Sequence, residues 1–239
     1  TFDMSRMEAR LCDPQQRVLL GTAASLLDKK YCVNGCAKSV FVGITSSDYA
    51  RILRDKSTLA NGYESATNVS NVAAGRISFT FNFTGQSISI DTACSSSLVA
   101  VHFSCVCDDH YRDCEQLAFG VNLIFDPRTS IVCNAAGMLS SDGRCKAMDV
   151  EADGYGRAEN YAGLLLAKRR VDHAASNDIS ENVGYFKASK INQDGRTSSL
   201  VAPNGNAQFE LIQSCASHSG INVEGNGVDE SELHGTGTQ

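Results

Sequence analysis

The sequence of 239 residues contains no tryptophan and only three prolines, and it has no Pro-rich or Gly/Ser-rich stretch that would separate independent domains. One domain, or most of one, follows. Basic residues are in short supply, with 21 Lys and Arg against 27 Asp and Glu for a formal net charge of −6. The charges are dispersed, so no basic stripe exists to neutralise phosphates or anionic lipid. That argues for no nucleic-acid partner and no membrane partner. Apolar runs such as 162–167 fall far short of the ~20 residues of a spanning helix. The chain also opens without an initiator methionine, a basic start or an apolar signal region, so the true N-terminus is expected to lie upstream and localisation is not readable.

What is present is ample apolar material: 42% hydrophobic and 20% charged residues suffice for one sizeable core. Ten cysteines in a chain this long read as reduced thiols, because disulfide frameworks serve chains too small to build a core. His102, Cys105, Cys107 and His110 cluster in sequence, yet on a helix Cys105 and Cys107 point to nearly opposite faces and could not converge on zinc. No metal site is expected. Neither ADGYGR nor NQDGR completes a GxGxxG or GxxxxGK[ST] pattern, so nucleotide binding has no support.

Asp13 before Pro14, followed by Val18, Leu19, Ala23, Leu26 and Leu27 at helical spacing, predicts a helix over 14–29. Strands are predicted at 39–44, 87–90, 117–124, 163–167 and 183–191, and helices at 72–79, from after residue 94 to about 110, at 169–176 and at 207–219. Such alternation argues for an α/β domain with helices on both sheet faces. The glycine-bearing stretch 149–160 is read as a seam between two halves of one fold, 1–150 and 151–239.

Cys94 stands where a strand ends and a helix begins, a setting that offers a thiol the unpaired amides and positive end of the helix and favours the thiolate nucleophile. Small neighbours, Ala93 and Ser95 to Ser97, leave room for a thioester. The run DTACSSSLVAVH resembles the active-site segment of β-ketoacyl synthases. Seven further segments resemble the same family in the same order: DPQQR, AAGRISF, AGMLSSDGRCK, ADGYGR, NQDGRTS, APNG and HGTGT. DPQQR and DTACSSS together favour the polyketide synthase type over a stand-alone fatty-acid enzyme.

The resemblance implies a thiolase-like fold, two similar α/β halves in layered αβαβα order, the second half incomplete here. It implies that Cys94 accepts an acyl chain and that His234 donates to the extender thioester carbonyl as carboxylate leaves. It further implies that Thr236 and Thr238 hydrogen-bond a phosphopantetheine arm. The implied partner is an acyl carrier protein, the implied assembly a homodimer, and no cofactor is required. Ala158 and Asn160 depart from the family, which has glycine there. A second histidine and a lysine would follow residue 239 and a first strand would precede Thr1, so the 239 residues alone are expected to be inactive. Two rival readings stand beside this one: a cysteine acyltransferase or hydrolase that never condenses, and a non-catalytic scaffold protein.

Overall fold

The computed structural model describes residues 2, 4–27, 38–45, 48–56, 68–106, 115–167, 183–199, 202–222 and 227–237. Local capping starts the first helices. Ser5 accepts from the Glu8 amide at 3.1 Å and opens α1 (Arg6–Leu11). Buried Asp13 accepts from the Gln15 amide at 2.8 Å and opens α2 (Pro14–Leu27), whose proline has no amide to satisfy.

The sheet has four strands in the order β2-β1-β3-β4, with β1 (Ser39–Ile44) parallel to both β2 (Ser87–Ile90) and β3 (Gln116–Asn122) and β4 (Asn160–Leu166) antiparallel to β3. Every residue of β1 is buried, as a central parallel strand covered on both faces requires. Alternation then divides its side chains between two cores. Val40, Val42 and Ile44, with Leu117, Phe119 and Val121 of β3, pack against Leu19, Leu20 and Ala23 of α2 and Ala73, Ala74 and Ile77 of α4 (Ala73–Phe81). On the other face Phe41 meets Ile90, Val99 and Ala100, the last two from α5 (Ser96–Val106). Helices cover both faces, as the alternation of elements predicts.

The DPQQR segment ties these layers together with polar side chains. Gln15 Oε1 accepts from the Leu123 amide just beyond β3 at 3.1 Å, and Gln16 Oε1 accepts from Arg76 Nε of α4 at 2.7 Å. Both glutamines are buried, so each bond satisfies a group that water cannot reach.

Two further helices, α3 (Asp48–Lys56) and α6 (Pro127–Ala135), are anchored to each other. The buried Asp48 carboxylate accepts from the Phe125 and Asp126 amides, both at 3.3 Å, and from the Thr129 hydroxyl at 3.2 Å. Asp126 caps α6 by accepting from the Arg128 amide at 2.8 Å. Asp126→Ala should therefore lower stability by about 1 kcal/mol, the ordinary worth of such a cap. Urea unfolding of the variant reads this directly, and an unchanged midpoint would mean that Asp48 alone holds the helix start.

The chain divides into two compact units, residues 1–168 with 234–239 and residues 169–233. The stretch 149–160 lies within the first. In the second, Asn204 caps α7 (Gly205–Ser219), accepting from the Asn206 and Ala207 amides, and its side-chain nitrogen donates to the Asp194 carbonyl at 2.9 Å. NQDGRTS and APNG thus meet in space. The strand predicted at 183–191 is absent: a strand exists through its ladder, no described strand pairs with this segment, and Val183 is fully exposed. The predicted helix at 169–176 and the 107–110 end of the helix after Cys94 lie outside the described residues.

Candidate active site

Cys94 is held by a strained turn. Between β2 and α5, residues Ala93–Ser95 form one 3-10 turn in which Ala93 takes φ 55°, left-handed backbone that side-chain-bearing residues avoid. Side-chain bonds enforce it. Asp91 accepts from the Ala93 amide at 3.0 Å, while the Ser96 hydroxyl accepts from the Thr92 amide at 2.8 Å and donates to the Ala93 carbonyl at 2.7 Å. The Ser95 hydroxyl donates to the Thr92 carbonyl at 2.9 Å. Strain of this kind persists only where the surroundings over-determine it. It leaves Cys94 a free, exposed thiol at the amino end of α5.

Two glycines set how closely that helix approaches the sheet. Gly43 of β1 and Gly120 of β3 are register partners. A Cβ on Gly43 would lie 2.5 Å from the Ser96 carbonyl carbon and the Ser97 nitrogen, and one on Gly120 would lie 2.7 Å from Ser97 Cβ. The obstacle at Gly43 is backbone and cannot swing aside. Gly43→Ala should cost about 1–3 kcal/mol by overpacking. A lowered urea midpoint is the expected result; an unchanged one would mean that α5 slides away freely.

Cys94 lines a cavity of about 550 Å³ at the carboxyl ends of β1 and β3, where open α/β sheets bind ligands. Thr129 and Cys133 of α6 form part of its wall, as do Tyr155 and Arg157. The Tyr155 hydroxyl donates to Cys133 Sγ at 3.8 Å, and Arg157 Nη1 donates to the Ser130 hydroxyl at 2.7 Å. Burial pushes the Tyr155 phenol above its ordinary value. The bond to Cys133 and negative charge on Cys133 and Cys94 push the same way, against the Arg157 guanidinium. A shallower depression of about 440 Å³ beside Ala24, Ser25, Leu27 and Phe81 carries no titratable group among the described residues. Among the described residues no group of three or more His, Cys, Asp or Glu gathers to hold a metal.

Three of the sequence motifs converge beside this cavity. The Tyr155 amide donates to the Met138 carbonyl at 3.1 Å and the Ser140 amide to the Tyr155 carbonyl at 3.0 Å, joining ADGYGR to AGMLSSDGRCK. Lys146 Nζ lies 2.7 Å from Asp153 Oδ1, and the Ser140 and Ser141 hydroxyls each lie 2.8 Å from the same carboxylate. The ammonium first, then the two hydroxyls, hold that carboxyl well below the usual range. HGTGT joins the pair through the Gly154 amide, which donates to the Gly237 carbonyl at 3.0 Å.

His234 and Thr236 are placed by this segment within the first unit, His234 exposed and Thr236 partly buried, and neither lines the cavity that holds Cys94. Thr238 lies outside the described residues. Ala158 and Asn160 fit without crowding: both are exposed, and the Ala158 carbonyl accepts from Asn122 Nδ2 at 2.7 Å. Sequence reasoning missed Thr129, Cys133, Tyr155 and Arg157. Two of them, Tyr155 and Arg157, sit inside ADGYGR, a motif that carries no site role in the sequence alone; Cys133 and Thr129 lie on a helix that apolar periodicity does not reveal.

Residues 1–172 match the family model described as β-ketoacyl synthase, N-terminal domain, and residues 183–239 match the corresponding C-terminal domain model. A component of the phenolphthiocerol/phthiocerol polyketide synthase of Mycobacterium tuberculosis is 39% identical over 99% of this chain and 11% of its own length. Erythronolide synthase EryA2 of Saccharopolyspora erythraea is 35% identical over 100% of this chain and 7% of its own. The chain therefore spans about a tenth of the length of such relatives. Among solved structures, the ketosynthase from module 6 of the Bacillus subtilis 168 bacillaene synthase superposes with a TM-score of 0.83 at 34% identity, covering 99% of this chain and 40% of that one. The oxazolomycin ketosynthase domain OzmH KS7 of Streptomyces albus gives 0.82 at 32%, with 99% and 40% covered. The fold is thiolase-like.

Proposed function

The chain belongs to the β-ketoacyl synthase family, and from that premise we propose that it supplies the acyl-accepting part of a polyketide-type condensing enzyme. The observation that carries this is Cys94, exposed on a strained turn at the amino end of α5 and facing a cavity large enough for an acyl chain. The thiolate attacks the acyl thioester of a carrier protein, forming a new thioester on Cys94 and releasing the carrier thiol. A malonyl-type thioester then loses carbon dioxide, and the electron pair left behind becomes an enolate whose oxygen His234 stabilises by hydrogen bonding. The enolate carbon attacks the Cys94 thioester, the Cys94 thiolate leaves, and a β-ketoacyl chain longer by two carbons results. Thr236 and Thr238 hold the phosphopantetheine arm, and the working assembly is a homodimer.

Full-length protein given an acyl thioester and a malonyl thioester on carrier protein should release carbon dioxide and lengthened product in equal amounts. Loss of the acyl group to water with neither product would make the protein a hydrolase. Absence of any acyl adduct would make it a scaffold.

A further inference from the structure

We propose that Tyr155, held by Cys133, is a specificity-determining residue that selects acyl chains bearing an oxygen on C3, the 3-oxo or 3-hydroxy class, over saturated chains. This rests on the reading of Cys94 as the acylated thiol and deepens it. The motivating observation is a mismatch of partners. Tyr155 is partly buried in the cavity that Cys94 lines, yet its hydroxyl hydrogen goes to a cysteine sulfur at 3.8 Å, a weak acceptor where buried phenols ordinarily find oxygen.

An acyl chain on Cys94 enters this cavity with its C3 substituent only a few bonds from the sulfur. An oxygen there is a better acceptor than Cys133 Sγ, so the hydroxyl gains by changing partner. A saturated chain offers no acceptor, and the hydroxyl keeps the sulfur at no cost. Selection thus comes from a bond gained by one class, and Cys133 parks the hydroxyl in the meantime. Other polar groups line the cavity, among them Thr45, Ser97 and Asn160, while the Thr129 hydroxyl donates to Asp48 and Asn122 Nδ2 to the Ala158 carbonyl. Ile44 and Val121 are apolar, and the Arg157 guanidinium is engaged by Ser130 at 2.7 Å.

The test uses full-length protein and the pantetheine thioesters of butyrate, 3-oxobutyrate and 3-hydroxybutyrate, with loading of Cys94 followed by mass spectrometry. Tyr155→Phe should lower kcat/KM for the two oxygenated chains about tenfold, a single hydrogen bond's worth, while butyryl loading stays at the wild-type rate. Cys133→Ala should keep the preference for oxygenated chains. Equal loss of all three chains in Tyr155→Phe, no loss of any, or loss of the preference in Cys133→Ala would overturn the proposal by making the pair a structural strut. A wild-type protein that loads none of the three would instead sink the reading of Cys94 itself.

Discussion

Full-length protein carrying Cys94→Ser should give no acyl adduct after incubation with an acyl thioester, where the wild type gives one adduct on the peptide containing residue 94. The substitution keeps the size of the side chain, and the bonds that hold the turn come from Asp91, Ser95 and Ser96, so the unfolding midpoint should not move. What is lost is the nucleophilicity of sulfur. An alcohol without an adjacent base stays protonated and is a poor nucleophile.

Mapping the adduct matters because other thiols are present. Burial pushes the Cys12 and Cys105 thiols up, against the charge of Arg76 for the first and a hydrogen bond from Ser104 for the second, so both should stay protonated and unmodified. Cys145 is exposed and Cys133 shares the cavity, which makes them the informative controls. An adduct of undiminished yield on the serine variant, or one found at Cys133 or Cys145 in the wild type, would refute the assignment of the nucleophile.

Legibility in the sequence followed the range of the forces involved. The cap at Asp13, the proline at the start of α2 and the apolar run Val40 to Ile44 of β1 are local, and they could be read from adjacent residues. So could the strand-turn-helix around Cys94, because its turn is built by residues 91 to 96 alone. The helix α6 escaped because it buries none of its residues and so shows no apolar face, although Asp126-Pro127 is a local start signal that could have found it. Long-range geometry was invisible. That Gly43 and Gly120 lie opposite each other under Ser96 and Ser97 depends on register, and that Tyr155 meets Cys133 depends on a helix and a loop 22 positions apart. The unformed strand at 183–191 shows the converse, since a β-rich pattern specifies a strand only when a partner completes its ladder.

His234→Ala should separate the two chemical steps. Acyl loading of Cys94 is expected to stay near the wild-type rate, while carbon dioxide release and chain elongation fall about a hundredfold, the loss of a donor worth ~3 kcal/mol at a developing oxyanion. The motivation is the HGTGT segment and its mooring. The Gly237 carbonyl accepts from the Gly154 amide at 3.0 Å, and Gly154 adjoins the Tyr155 that lines the cavity. Gly237 itself has φ 64° and packs so closely on the Cys145 carbonyl that no side chain could stand there, which fixes the path of the backbone carrying the histidine. His234 does not line the wall beside Cys94, which is why its removal should spare the first step. Loading and carbon dioxide release are to be measured separately on the same variant. Equal loss of both would mean that His234 activates Cys94 as a base, and loss of neither would make it an exposed loop residue with no part in the reaction.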